Sequence, residues 1–111
     1  MSGVQPETRL QNQIRLAIAE EFPTCRMFRN SVGSFKTSQG TWVTAGLPAG
    51  SSDLIGIIKK KGVGVFVALE VKTPGNKARP DQQAFLNVIR DLGGIAGVVT
   101  SVEEALELLK K

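Results

Sequence analysis

The chain has no histidine among its 111 residues. That removes imidazole as general base and as metal ligand, and with it the Ser-His-Asp arrangement. Its one cysteine, Cys25, cannot form an internal disulfide, which fits a reducing, cytoplasmic setting. With no histidine and a single thiol, a structural zinc site has no ligands to draw on. No apolar run approaches the roughly 18 residues of a membrane span, and no basic stretch followed by an apolar segment opens the chain. Neither a membrane helix nor a secretory leader is therefore expected. What is present is ordinary globular composition, 41% hydrophobic and 22% charged, enough at this length for one domain over residues 1–111 with a single core. The net charge of +4 suits a polyanionic partner without specifying one.

The informative stretch runs from Gly50 to Lys72. Two apolar runs, Leu54–Ile58 and Val65–Leu69, flank the basic, glycine-containing segment Lys59–Gly64, which reads as a β-hairpin. Both runs are rich in Val, Ile, Leu and Phe, so both faces of these strands are expected to be buried. Yet Asp53 begins one run, and Glu70 and Lys72 end the other. Residues i and i+2 of a strand share a face, so Glu70 and Lys72 project together while Val71 points the other way. A turn over residues 60–63 brings Asp53 alongside them. Two carboxylates at the edge of an apolar sheet repel each other and lose solvation, at a cost of several kcal/mol unless compensated. A hard divalent cation between Asp53 and Glu70 would compensate, since such ions take oxygen ligands. Lys72 beside it could orient a water or hold a phosphate oxygen. The plainer alternative is a structural Glu70–Lys72 pair, with Asp53 as a turn residue.

Asp53, a hairpin, then Glu70-Val71-Lys72 resembles the Asp…(Asp/Glu)-x-Lys signature of a large nuclease superfamily. More closely, the segments Gly50–Gly56, Leu69–Gly75 and Gln82-Gln83-Ala84-Phe85 resemble the virus-type replication-repair nuclease domain, over about Glu7 to Val99. Ser52 stands where the wider superfamily often has Pro. The resemblance implies a restriction-endonuclease-like fold and a Mg²⁺- or Mn²⁺-dependent DNA endonuclease. Asp53, Glu70 and the Val71 carbonyl would be the metal ligands and Lys72 the catalytic lysine. It adds an acid near the start of the first helix, which Glu7 matches, and a glutamine of the second helix, taken as Gln83 with Gln82 as the alternative. Small stand-alone members of the family look like homodimers that cut branched DNA such as Holliday junctions. The resemblance also extends the cytoplasmic expectation to a phage-encoded protein acting in a bacterial host.

In chain order, Met1–Gln5 is expected to be a mobile polar lead and Pro6–Glu21 a helix, with Pro6 and Glu7 suited to its N-terminus. Glu7 also has the plain reading of a carboxylate at the positive end of the dipole. Leu10, Ile14, Ala17, Ile18 and Phe22 fall on one face of that helix, with Gln11, Arg15 and Glu20 elsewhere on the wheel. Residues 25–30 read as a strand with Met27 inward. Residues 31–52 are long and irregular, rich in Gly, Ser and Thr, with a short strand at Trp42-Val43. There Arg26, Arg29, Asn30, Lys36 and Thr37 could meet phosphates, and Phe35 or Trp42 a base, unless Trp42 belongs to the core and the basic side chains to solvent. Lys77 and Arg79, after the hairpin, are further candidates for contact with DNA. A second helix over 80–92 is expected to bury Ala84, Phe85, Val88, Ile89 and Leu92, and Gly93-Gly94 to end it. A strand over 95–100 follows, parallel to the Glu70 strand, then a helix capped by Ser101 with Glu104.

The order helix, strands, helix, strand, helix predicts an α/β domain with a central mixed sheet flanked by helices. A homodimer is expected because a four-way junction has two-fold symmetry. The apolar bulk of Phe35, Trp42, Val43 and Leu47 offers a surface for it. The competing expectations are a monomeric flap or nicking nuclease, and a non-catalytic nucleic-acid-binding module of the same fold.

Overall fold

The computed structural model describes residues 5–111, so most of the expected polar lead lies outside the described residues. The elements run α1 (Pro6–Glu21), β1 (Cys25–Arg29), β2 (Gly33–Lys36), β3 (Trp42–Ala45), β4 (Leu54–Lys60), β5 (Val63–Val71), α2 (Pro80–Asp91), β6 (Ile95–Val99) and α3 (Val102–Lys110). The central sheet is mixed, in the order β1-β4-β5-β6. β1 and β4 pair antiparallel, as do β4 and β5, and β6 lies parallel to β5.

The β4–β5 hairpin closes on Lys61 and Gly62, both at positive φ (51° and 80°). Two consecutive left-handed residues make the type I′ turn whose twist matches the flanking strands. The turn fixes the register, from Lys60↔Val63 to Leu54↔Leu69. One step beyond the last pair, Asp53 falls across from Glu70.

One sheet face packs under α1 and α3, where Leu54, Ile58, Val67, Leu69, Val71 and Val99 meet Ile14, Ile18, Ala105 and Leu109, all buried. Each such Val, Leu or Ile side chain contributes about 1.5–3 kcal/mol by leaving water. Gln11 is also buried, contrary to its expected place off the apolar face. It lies three residues before Ile14 and seven before Ile18, on the same helical stripe.

Among the described residues the other face is covered by α2, through Leu86 against Ala68 and Ala96. A helix is about 10–12 Å across and strands lie about 4.8 Å apart, so one helix roofs two strands and not four. The expectation of burial on both faces therefore fails on the β1–β4 side and at the start of β5. Phe28, Ile57 and Phe66 remain 55%, 51% and 41% exposed. The α2 face also differs from the expected one. Gln82 and Leu86 are buried and Phe85 and Ile89 half-buried, while Ala84, Val88 and Leu92 face solvent. The helix has more apolar positions than two strands can receive, and it seats the stripe through Leu86.

Residues 31–52 are more ordered than their composition suggests. β2 and β3 form a separate antiparallel hairpin, from Gly33↔Ala45 to Lys36↔Trp42. Its tip is closed by Thr37 N–H to Thr41 O (2.7 Å) and Gly40 N–H to Thr37 O (2.9 Å). Every residue of both strands is exposed, and Trp42, at 68%, is no part of the core. At α3, Ser101 Oγ accepts from the Glu104 amide as expected for the cap. Glu104 Oε1 reaches one residue further back than the usual box, to the amide and hydroxyl of Thr100 (2.6 and 2.9 Å). Those bonds hold its pKa below the usual carboxylate value. No described helix is long and apolar enough to cross a membrane.

Candidate active site

Strand parity and hairpin register together place the two acids. Glu70 is on the α2 face of β5, opposite in parity to the core residues Leu69 and Val71. Asp53 ends the bend leading into β4, and its Oδ2 accepts from the Val71 amide at 2.9 Å. The bend is tied from several sides. Asn30 Nδ2 donates to Ser51 Oγ and to Ser52 O, both at 2.8 Å, and the Asn30 amide donates to Asp53 O at 2.8 Å. Ser52 is 1% exposed, and its hydroxyl donates to Leu54 O at 2.9 Å. That hydrogen bond stiffens the backbone at Ser52.

Glu70 is 1% exposed, and neither carboxylate oxygen accepts a hydrogen bond of good geometry from the described residues. Lys72 lies beside it, with Nζ 3.4 Å from Oε2. Burial raises the Glu70 pKa most, and the Asp53 carboxylate adds to the rise. Lys72 opposes it, leaving the group at about 7. Buried acceptors without donors are costly in a folded protein and ask for a partner. Two adjacent carboxylates with unspent oxygens are the donor set of a hard cation, so the residues present fit Mg²⁺ or Mn²⁺.

These groups open onto a cleft of about 520 Å³. Glu7, Asn30, Asp53, Glu70, Lys72, Arg79 and Gln82 line it, together with Val32, Gly33, Ser34 and Thr44 from the small hairpin. Glu7 thus reaches the same cleft from the start of α1. It does not close with the pair, since no three His, Cys, Asp or Glu side chains among the described residues cluster tightly enough to hold a metal.

The other sequence-predicted residues divide. Gln83 is exposed on the outer side of α2, whereas Gln82 is 7% exposed and lines the cleft. Gln82 Oε1 accepts from the Arg79 amide at 2.8 Å, a cap that turns position 82 inward and so sends position 83 out. Asn30 lines the cleft but is spent as a brace of the Asp53 bend. Arg79 also lines it, with its Nε 3.2 Å from Asp81 Oδ1. Arg29, Lys36 and Lys77 are exposed and outside the cleft lining. Sequence reasoning missed the bracing role of Ser51 and Ser52, and the hairpin wall of Ser34 and Thr44.

A family model described as the VRR-NUC domain matches residues 6–103. No curated protein and no solved structure matches the chain.

Proposed function

The chain belongs to the VRR-NUC domain family, a nuclease-type domain, and from that premise we propose that it is a metal-dependent DNA endonuclease acting on branched DNA as a homodimer. The observation that carries the reading is Glu70, with both oxygens buried and without a hydrogen-bond donor among the described residues, beside Asp53 and Lys72. A cation lodged there would acidify a bound water and neutralise charge on a phosphate oxygen.

Asp53 and Glu70 would hold Mg²⁺ or Mn²⁺ from either side of the hairpin. Val71 would add its carbonyl, which leaves an extended strand on the same side as the amide already directed at Asp53. Lys72, one residue past β5, is held by its amide on Val99 O and by Glu70, and its ammonium can turn between the carboxylate and a phosphate oxygen. In that position it orients the nucleophile or offsets charge developing in the transition state. Gln82 uses Oε1 on the Arg79 amide, which leaves the two Nε2 donors for a phosphate oxygen. Glu7 lines the cleft as a third carboxylate, able to take a proton from water.

Two copies would be joined through the open face of the central sheet. Phe28, Ile57 and Phe66 lie exposed on the same sheet face as Glu70. A dimer through that face presents two clefts on one composite surface, as paired incisions across a two-fold junction require. The small hairpin is left free.

The test is cleavage of linear, flapped and four-way DNA with and without Mg²⁺. Metal-dependent cutting that favours branched substrates is expected. Glu70→Gln and Asp53→Asn should each lower turnover by roughly a thousandfold or more while the far-ultraviolet circular dichroism is unchanged, because each removes a charged ligand. Full activity in either variant would overturn the ligand assignment.

A further inference from the structure

The β2–β3 hairpin is a poor structural investment on its own. Both its faces are exposed, and a two-stranded hairpin without a packed face is marginally stable in water. It extends the molecule, whose radius of gyration is 15.0 Å against about 13 Å for a compact chain of this length. Its root is nevertheless firmly set. Gly46 is at φ 88°, and a Cβ there would stand 2.5 Å from Ser31 O, so the two legs cross with no room for a side chain. Immediately before the first leg, Asn30 is hydrogen-bonded to Ser51, Ser52 and Asp53. The direction of the arm is therefore tied to the bend that carries a candidate catalytic carboxylate.

The two faces of the arm differ. Ser34 and Thr44 pair across the strands, with 3.2 Å between their hydroxyls, and both line the cleft. Two residues further out on that face comes the pair Lys36↔Trp42. The step is about 7 Å along the strand. The cleft wall thus continues outward as hydroxyls, then an ammonium beside an indole. The opposite face carries Phe35 and Val43 and has no basic residue.

We propose that the β2–β3 hairpin is an arm that receives unpaired DNA beside the cleft, with Trp42 stacked on a base and Lys36 on a backbone phosphate. The proposal rests on the nuclease reading of the cleft and adds a substrate class to it. Paired bases already stack on their neighbours within a duplex. An indole exposed on a groove wall finds a free base only where the strand is splayed, at a flap, a gap or a branch point. A duplex alone would require basic residues on the arm but no aromatic ring.

Trp42 is the sole tryptophan, so the chain carries its own probe. The experiment titrates the metal-free protein with a short oligothymidylate and with blunt duplex, following tryptophan emission and the anisotropy of labelled DNA. Oligothymidylate should quench the emission, and blunt duplex should quench it far less. Trp42→Leu should reduce the preference for unpaired over blunt DNA about tenfold, the scale of one lost base stack. Phe35→Leu, on the opposite face, should keep that preference. Lys36→Ala should lower the salt dependence of oligothymidylate binding by about one counterion. Binding of oligothymidylate without quenching, or an unchanged preference in Trp42→Leu, overturns the arm. The same substrates with Mg²⁺ separate the two readings. Cleavage without quenching leaves the nuclease standing and removes the arm, while quenching without cleavage does the reverse.

Discussion

Glu70 keeps its proton to about pH 7 in the metal-free fold, against an ordinary value of 4.5. The folded state therefore binds a proton that the unfolded chain releases between those two values. Stability must then be greatest below about pH 4.5 as far as this group is concerned, fall through the window up to 7, and stay level above it. The loss is on the order of a few kcal/mol. Urea denaturation in chelator at pH 5 and pH 8 should show it for the wild type and not for Glu70→Gln. Parallel changes in the two proteins would mean that burial of this carboxylate is not the cause. Mg²⁺ should restore stability at pH 8 by binding the folded ionised pair. Lys72→Ala should cut turnover at least a hundredfold while calorimetry still records metal binding, because it removes an ammonium and no ligand. Collapse of metal affinity would make Lys72 a structural partner of the acids. The meeting of Asp53, Glu70 and Lys72 was legible in the sequence because strand parity and a short turn leave little freedom. The inward placement of Gln82 rather than Gln83 was not, since each step around a helix is 100° and tertiary packing sets which one faces the sheet. Asn30 was read as a DNA contact because the donor that braces a carbonyl is the same donor that would meet a phosphate.

At the scale of elements, the hairpin turn spends stability where its chemistry is not the best available. Lys61 occupies a left-handed conformation (φ 51°) that Asn adopts more readily ahead of Gly62. Lys61→Asn should raise stability by about 0.5 kcal/mol, read as a higher midpoint in urea. A lower midpoint would show that the lysine makes a contact worth more than the backbone strain. This hairpin, α1, the parallel strand β6 and the Ser101 cap could all be read in advance, because each has a buried face or a terminal signal written in its residue types. β2 could not, and of β3 only Trp42-Val43 could. A hairpin with no buried face has no alternation to detect, and only its turn residues hint at it. The face of α2 was misjudged for a related reason. Ala84, Val88 and Leu92 fit an amphipathic pattern, but the width of the sheet beneath decides how much of that pattern is used.

For the whole molecule, the uncovered half of the sheet sets the expected assembly. Sedimentation of the free protein at micromolar concentration should report a dimer. Ile57→Glu, at a half-exposed position, should yield a folded monomer that still nicks but loses paired incision of four-way DNA. A wild type that stays monomeric on junction DNA would rule out the symmetric resolvase. The mixed sheet and its flanking helices were legible from the order of elements, whereas the open face was not, because residue types alone do not reveal how many helices a sheet will receive. The first strand has a separate use. Cys25 sits on edge strand β1, 1% exposed, and burial pushes its thiol pKa up. Only a thiolate reacts with an alkylating reagent, so the folded chain is doubly protected from one. Each molecule that lets β1 come away gains a single mass label. Pulse alkylation followed by mass spectrometry would count how often that border of the sheet opens, with no engineered reporter.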